Sequence, residues 1–161
     1  WQNRLRDLIG FGAPGPCASS FGCYENVNRA RYLGVTLAGR GKVAGVVLQG
    51  SLDWHDPRNL DTDKLLVRRA RVLAKLSADT SLAGWGLGLE WRAAGARYDN
   101  AANTQRMGGY GVLNLRAARA LAPGWTLEAR IDNLGDKDYQ LARTYPTGGR
   151  MAQLGLRWQL L

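Results

Sequence analysis

The stretch that decides the fold is LNLRAARALAPGWTLEARID, residues 113–132. After Pro123 and Gly124, every second residue from Trp125 to Ile131 is apolar, and the residues between them are polar or charged. A period of two is typical of a β-strand with one apolar and one polar face. Together with the tight connection expected at 122–123, the stretch predicts two antiparallel strands joined by a short turn.

The same alternation recurs along the chain, and the connections alternate between short and long. Those at 41–42, 79–83 and 122–123 are tight, whereas those at 13–23, 57–64, 99–107 and 137–147 are longer and polar. Tight turns at one rim and long loops at the other are typical of outer-membrane β-barrels. We therefore predict an all-β fold, an antiparallel transmembrane β-barrel portion of about eight strands. The predicted segments are 1–12, 24–40, 43–56, 65–78, 84–98, 108–121, 124–136 and 148–160.

The apolar face of these strands is predicted to contact lipid. Trp85, Trp125 and Trp158 lie on it beside the tight turns, and Trp54 and Trp91 lie toward the long loops, as in interfacial aromatic girdles. The opposite face carries charge on most strands, and we expect it to face the barrel lumen. The predicted lumen-facing residues are Arg69, Arg71, Arg92, Arg116, Arg130 and Arg157. A soluble β-barrel with the apolar rows inside remains an alternative, as does a small closed membrane barrel with a structural role.

The composition of the chain limits which classes of function and partner can be expected. The chain has 161 residues and a formal charge of +9, but its arginines are spread over the strands without a compact stripe, so no nucleic-acid partner is expected. No run approaches the roughly 18 apolar residues of a membrane helix. The chain opens WQNRLRDLIGF, without an initiator Met. An exported protein would open in this way if its leader had been removed or if the chain were a piece of a longer one, and we expect the second.

Reactive side chains are few. Cys17 and Cys23 lie in one long loop, and in an exported protein they are expected to form a disulfide, with a pair of free thiols as the alternative. The only histidine, His55, stands beside Asp56 at a strand end. Without a nucleophile motif, a phosphate loop or metal-ligand spacing, we expect no enzyme, no metal site and no cofactor.

Five short sequence motifs then narrow the class of membrane protein to which the chain can belong. They are NVNRARYLGVTLAG (26–39), LLVRRAR (65–71), GARYDN (95–100), IDNLGDKDYQ (131–140) and TYPTGGR (144–150). In this order and spacing they resemble strand and loop motifs of TonB-dependent outer-membrane receptors. The match is to the C-terminal part of such receptors, and it is most similar to their cobalamin (vitamin B12) transporter subgroup.

This resemblance implies the last eight strands of a barrel of about 22 strands in the bacterial outer membrane. It also implies a plug domain that precedes the barrel, a TonB partner, and import of a large scarce ligand. Cobalamin is the first candidate, and a ferric siderophore or another metal chelate is the alternative. The arginines of the polar face would hold the plug or set the potential of the lumen.

Ligand contacts are expected among the long loops, where aromatic and amide groups suit a large, partly apolar ligand. Each of these residues could equally serve loop packing. The candidate residues are Arg58, Asn59, Tyr98, Asp99, Asn100, Tyr139 and Tyr145.

Overall fold

The computed structural model describes residues 1–12 and 23–160, which form one curved antiparallel sheet of eight long strands and two small hairpins. The long strands are β1 (Gln2–Gly12), β2 (Cys23–Val43), β3 (Val46–Asn59), β4 (Val72–Leu82), β5 (Trp85–Ala94), β8 (Tyr110–Ala122), β9 (Trp125–Asp132) and β12 (Met151–Trp158). The short ones are β6 (Arg97–Tyr98) with β7 (Arg106–Met107), and β10 (Gln140–Ala142) with β11 (Tyr145–Pro146). Neighbours in the large sheet follow the order β1-β2-β3-β4-β5-β8-β9-β12.

The sheet is open. In the part of the chain that the structure describes, β1 and β12 are its two edges and do not pair with each other. A small closed barrel would join its first and last strands, so this alternative is not supported. The all-β antiparallel barrel portion predicted from the sequence is confirmed.

Three two-residue turns join long strands at one rim. Ala44–Gly45 and Ala83–Gly84 both have two successive positive φ angles, as a type I′ hairpin turn requires. At Pro123–Gly124 only Gly124 has a positive φ, of 77°, which suits a type II turn with proline first.

Several predicted boundaries are wrong. The tight turn expected at 41–42 lies at residues 44–45, and β2 runs on through Gly39 and Gly41 to Val43. The strand expected at 65–78 begins only at Val72, because residues 65–71 turn back on themselves and Arg68 has a φ of +58°. The same strand then continues to Leu82, where a connection was expected to begin at residue 79.

The register confirms the two faces. Arg116 of β8 stands opposite Gly88 of β5 and Arg130 of β9, and Arg130 stands opposite Gln153 of β12. On the other face Leu89, Leu115 and Ile131 are paired in the same way. Clefts of about 230 and 360 Å³ open on the polar face, so this face is the concave one.

The convex face is apolar and exposed to its surroundings. Among its exposed side chains are Leu52, Leu76, Leu89, Leu154 and Leu156, which a protein in water would bury. Trp125 and Trp158 stand opposite each other beside the turn rim, with ring centroids 6.3 Å apart. Because the apolar rows are not enclosed by the sheet, the alternative of a soluble barrel with an apolar interior is not supported.

Two of the arginines predicted for the polar face lie outside the strands. Arg69 donates from Nε to the hydroxyl of Tyr32 at 3.1 Å. Arg71 instead lies with its guanidinium carbon 5.9 Å from the Trp54 ring centroid and with Nε 3.7 Å from Asp56 Oδ1. Trp54 and Asp56 share the apolar phase of β3, so the placement of Arg71 on the polar face is wrong. The cause is the late start of β4, which leaves Arg71 in a bend.

Candidate ligand site at the long-loop rim

Three long loops meet at the rim opposite the tight turns. We name them loop A (60–71), loop B (95–109) and loop C (133–150). Asn103 of loop B accepts from the backbone N–H of Leu65 and donates to its carbonyl, at 2.8 and 3.0 Å. The backbone N–H of Arg68 donates to the carbonyl of Tyr98 at 2.7 Å. Loops A and B are therefore held together by the Asn103 side chain and by a backbone hydrogen bond.

Asp99 joins all three loops. Its Oδ1 accepts from Arg68 Nε of loop A at 2.7 Å and from the backbone N–H of Arg143 of loop C at 3.2 Å. Partial burial acts to raise the pKa of the Asp99 carboxyl, but these two hydrogen bonds and the nearby positive charges outweigh burial and lower the pKa. Asp99 is thus a charged carboxylate that ties the loops together at neutral pH.

A stacked aromatic pair fastens loop C over the mouth of the concave face. Tyr139 stacks on Tyr110 with ring centroids 4.2 Å apart, and Tyr110 belongs to the same face of β8 as Asn114. The guanidinium of Arg97 lies 5.3 Å from the Tyr110 ring centroid. Arg97 is 5% exposed and donates through Nη2 to the carbonyl of Gln140. Loop C is therefore held by both stacking and a buried cation.

Beside this pair lies a cleft of about 540 Å³ between loops B and C. Its lining includes Arg106, Lys137 and Arg143, together with Asp138 and Tyr139. Three cations against one carboxylate give the cleft a positive balance. An aromatic wall with cations around it suits an anionic ligand that also has an apolar surface.

Below the cleft, the concave wall is covered by ion pairs. Arg92 and Lys75 both pair with Glu90, at 2.5 and 3.1 Å, and Arg116 pairs with Asp79 at 2.5 Å. Arg130 pairs with Asp132 at 2.7 Å and Arg157 with Glu128 at 3.1 Å. Each predicted arginine of this face that lies within a strand has a carboxylate partner, and Arg92 shares its partner with Lys75.

A polar chain links this wall to loop C. Asn114 donates from Nδ2 to Glu90 at 3.2 Å, and its Oδ1 accepts from the backbone N–H of Asn133 at 2.9 Å. Asn133 in turn bonds the backbone of Lys137 through both ends of its amide, at 2.9 and 3.0 Å. Asn133 and Asn114 are buried, so the start of loop C is anchored in the wall.

The predicted ligand residues fall into distinct environments. Arg58 and Asn59 are not loop residues, because β3 extends to Asn59; Arg58 pairs with Asp56 and Asp63. The Asn59 and Asn100 side chains accept backbone hydrogen bonds within their own turns, so both are engaged in loop structure. Tyr139 lines the cleft, whereas Tyr145 is 71% exposed.

Tyr98 and Asp99 lie beside the cleft, at the junction of the loops. Tyr98 belongs to the short strand β6, which pairs with β7. Asp99 holds Arg143, a residue of the cleft lining. Of the seven candidates, the structure therefore brings only Tyr139 to the cleft itself, with Asp99 supporting it through Arg143.

Sequence reasoning missed Arg97, Arg106, Lys137 and Arg143. Their signal was weak, because isolated cations in loops are common and nothing local predicts which of them converge. The expected disulfide stays a prediction, since Cys17 lies outside the described residues. Within residues 1–12 and 23–160 no helix is long and apolar enough to cross a membrane, and no cluster of metal-ligating side chains occurs.

Comparison with known families identifies the protein family that shares this architecture. A family model described as TonB dependent receptor-like, beta-barrel, matches residues 1–134. The chain belongs to this family. The open sheet, the convex apolar face and the family together locate the chain in the outer membrane of Gram-negative bacteria.

Solved structures share the fold. The copper transporter OprC is 23% identical with a TM-score of 0.77, over 96% of this chain and 26% of that protein. The ferric preacinetobactin receptor BauA from Acinetobacter baumannii is 23% identical with a TM-score of 0.69, over 96% of this chain and 26% of that protein. The ferripyoverdine receptor of the Pseudomonas aeruginosa outer membrane is 16% identical with a TM-score of 0.70, over 98% and 24%. The chain thus spans about a quarter of these proteins.

Proposed function

We propose that this chain is the barrel wall and part of the outer mouth of a TonB-dependent receptor that imports a large, scarce ligand. The observation that carries the proposal is the position of the basic cleft at the mouth of the concave face. A ligand held there would stand between the outside medium and the barrel interior, where an importer needs its first binding site.

Two ligand classes fit the cleft. Cobalamin, to whose transporter subgroup the sequence motifs are most similar, is large and carries an apolar ring that an aromatic wall such as Tyr139 can contact. A ferric siderophore or another anionic metal chelate is favoured by Arg106, Lys137 and Arg143 around the cleft. The names of three fold neighbours include copper, iron and a ferric siderophore. These names support the second class as much as the sequence motifs support cobalamin.

The concave wall would serve the plug domain. Arg92, Arg116 and Arg130, each with a carboxylate partner, form a polar surface of compensated charge. Such a surface can hold a polar plug by hydrogen bonds and still release it, since exposed ion pairs contribute little energy and exchange partners readily. TonB would act on the plug, and the wall would stay rigid.

The test is a binding and uptake comparison on the full-length receptor that contains this chain. Purified receptor is titrated calorimetrically with cyanocobalamin, a ferric catecholate and a ferric hydroxamate. Cells that carry the receptor, with and without TonB, are then assayed for uptake of whichever ligand binds. We expect saturable binding of one class and uptake only with TonB.

Substitution then locates the binding. Arg106→Gln combined with Arg143→Gln is expected to weaken the binding of an anionic chelate at least tenfold. The affinity for cobalamin should stay within about threefold, because only the binding of the chelate depends on charge. Uptake that is independent of TonB would contradict the proposed mechanism. Binding that is indifferent to changes throughout the cleft would contradict the proposed site.

A further inference from the structure

A buried cation lies behind the cleft between loops B and C. Arg97 is buried, and among the residues that the structure describes it is the only buried arginine or lysine. Burying a cation costs much free energy unless a carboxylate compensates its charge. Within residues 1–12 and 23–160, no carboxylate forms an ion pair with Arg97. The charge of Arg97 is therefore left without compensation by this part of the chain.

The contacts of Arg97 also leave one end of its guanidinium without a partner. Nη2 donates to the carbonyl of Gln140, and the guanidinium carbon lies 5.3 Å from the Tyr110 ring centroid. Nη1 is buried too, but no acceptor among the described residues reaches it. Arg68, by contrast, donates from Nε to Asp99 Oδ1 at 2.7 Å. Arg97 therefore holds an unsatisfied N–H group in a place where water does not compensate it.

Arg97 stands directly behind the lining of the cleft. Its register partner Met107 lines the cleft, and so does Gln140, whose carbonyl accepts the hydrogen bond from Nη2. Tyr139, next to Gln140 in the chain, also belongs to the lining and stacks on Tyr110. A shift of Gln140 would therefore leave both Nη atoms available to a group that enters from the cleft.

The segment of loop C that bonds Arg97 is a small hairpin outside the main sheet. Strands β10 and β11 form a two-stranded sheet of their own, and such a hairpin is marginally stable by itself. Thr147 closes its base, because the N–H and the hydroxyl both donate to the Tyr139 carbonyl, at 3.2 and 2.9 Å. At the tip, the backbone N–H of Arg143 donates to Asp99 at 3.2 Å. The hairpin can therefore turn about its base, with Tyr139 in place, once its bonds to Arg97 and Asp99 break.

We propose that Arg97 binds an oxyanion, a carboxylate or phosphate group of the imported ligand, when the β10–β11 hairpin turns away from the wall. The inference rests on the proposed function of the cleft as a ligand site. A guanidinium presents a planar fork that bonds two oxygens of either group at once, and it stays charged at any physiological pH. Shielding from water strengthens such a bond. The oxyanion gives Arg97 the partner that the described part of the chain does not supply.

The position of Arg97 makes it a determinant of specificity. Arg106, Lys137 and Arg143 line the cleft and are exposed, so they attract anions of many kinds with little discrimination. Turning the hairpin breaks its hydrogen bonds to the wall, and only a ligand with an oxyanion replaces the bond lost at Arg97. A ligand without such a group should therefore bind with the hairpin closed, and more weakly.

The experiment uses the full-length receptor in lipid nanodiscs, with small oxyanions as probes. Hydrogen exchange of residues 140–146, corrected for the intrinsic exchange rate, is measured in sodium acetate, sodium phosphate and sodium chloride at equal ionic strength and pH. The variants are Arg97→Gln, which removes the charge, and Arg97→Lys, which keeps the charge and removes the fork. The matched control is Arg150→Gln, because Arg150 is an exposed arginine of the same loop outside the cleft lining.

We expect acetate, phosphate or both to lower the protection of residues 140–146 about tenfold relative to chloride in the wild type, since losing a charged hydrogen bond shifts an equilibrium by about this factor. Arg97→Gln should abolish the response, Arg97→Lys should reduce it, and Arg150→Gln should keep it. The salt that acts more strongly identifies the bound group as a carboxylate or a phosphate. Equal protection of the wild type in all three salts would overturn the proposal even if no variant folds. A response that survives Arg97→Gln would overturn it as well.

Uptake separates this inference from the proposed function. If TonB-dependent uptake and ligand affinity are unchanged in Arg97→Gln but fall in Arg106→Gln with Arg143→Gln, the role of Arg97 is overturned and the proposed function stands. Uptake that does not need TonB would overturn the proposed function, and the salt response would still decide whether Arg97 binds oxyanions. A wild type that ignores acetate and phosphate, with a plug domain that becomes sensitive to protease in Arg97→Gln, would show a carboxylate of the receptor itself at Arg97; this result also overturns the inference.

Discussion

Tyr139 stacks on Tyr110 with ring centroids 4.2 Å apart and an angle of 26° between the rings, so a loop residue rests on the inner face of strand β8. The sequence separates these two residues by a tight turn, a whole strand and the first turn of loop C. Their contact places loop C over the mouth of the concave face. The guanidinium of Arg97 lies 5.3 Å from the centroid of the Tyr110 ring. This aromatic contact between the loop and the wall therefore helps to position the lining of the cleft, together with Arg97, Asn133 and Asp99.

Replacing Tyr139 by Ala should weaken ligand binding and leave the barrel stable. The stacked pair is worth roughly 0.5–1.5 kcal/mol beyond buried area. Its loss loosens the middle of loop C, although Arg97 and Asn133 still anchor the loop to the wall. We expect the Kd of the bound ligand to rise about three- to tenfold, measured calorimetrically on the full-length receptor. The matched control is Tyr145→Ala in the same loop, whose side chain is exposed and should change the Kd by less than twofold.

Acid should loosen the loops through Asp99. Its pKa is lowered in the folded state, so its stabilising contribution is complete at neutral pH and is lost as the pH falls through the lowered value. The protection of the amides in residues 65–71 and 137–147 against hydrogen exchange, corrected for the intrinsic exchange rate at each pH, should therefore fall in acid. Asp99→Asn should give the lower protection already at pH 7, with a local loss of roughly 1.5–3 kcal/mol for a charged hydrogen bond. Unchanged protection in this variant would contradict the role of Asp99 in joining the loops.

An added arginine should destabilise the protein on the convex face much more than on the concave face. Leu154→Arg puts a cation on the lipid side, which costs roughly 2–4 kcal/mol near the bilayer midplane. Gly155→Arg puts the same side chain on the concave face, where no atom lies within 4 Å of an added Cβ and Glu128 stands opposite. Unfolding of the full-length receptor in urea, in lipid vesicles, measures the difference. Equal losses in the two variants would contradict the assignment of the faces.

The tight turns should discriminate between residues by their backbone conformation. Ala83 has a φ of +50° in a type I′ turn, where Asn is preferred, so Ala83→Asn should stabilise the protein by up to about 1 kcal/mol. Pro123 occupies the first central position of a turn in which only Gly124 has a positive φ, so Pro123→Asn should cost about 0.4–1 kcal/mol. Opposite shifts of the urea midpoint are expected from the same introduced residue. Shifts of the same sign would show that backbone conformation does not control these turns.

Much of the strand arrangement could be predicted because its causes are local. The alternation from Trp125 to Ile131 follows from a period of two, and any strand must then separate its apolar and polar residues. The positions of the tight turns were predicted less accurately. The turn at Ala44–Gly45 was missed because Gly41 is equally good at breaking a strand, and only pairing with β3 shows which glycine turns.

The candidate site could be predicted only in part. Tyr139 was singled out as an aromatic loop residue, but Arg106 and Lys137, which line the same cleft, carry no sequence signal of their own. Arg58 and Asn59 were assigned to a loop because the sequence around Pro57 is polar, yet the strand continues through them against β2. Loop contacts join residues far apart in the chain, and single-residue chemistry does not report them.

By itself, the sequence determined that the chain is all-β, which residues share a face within most strands, and which family of barrels it belongs to, since strand periodicity and short motifs are properties of neighbouring residues. The tertiary structure alone decided where each strand begins and ends, that Arg71 lies over Trp54, and that Arg4, Arg31 and Arg58 stand in one row. The physical reason is register: hydrogen bonds between strands bring distant residues side by side, and the charge balance of each face exists only after that pairing.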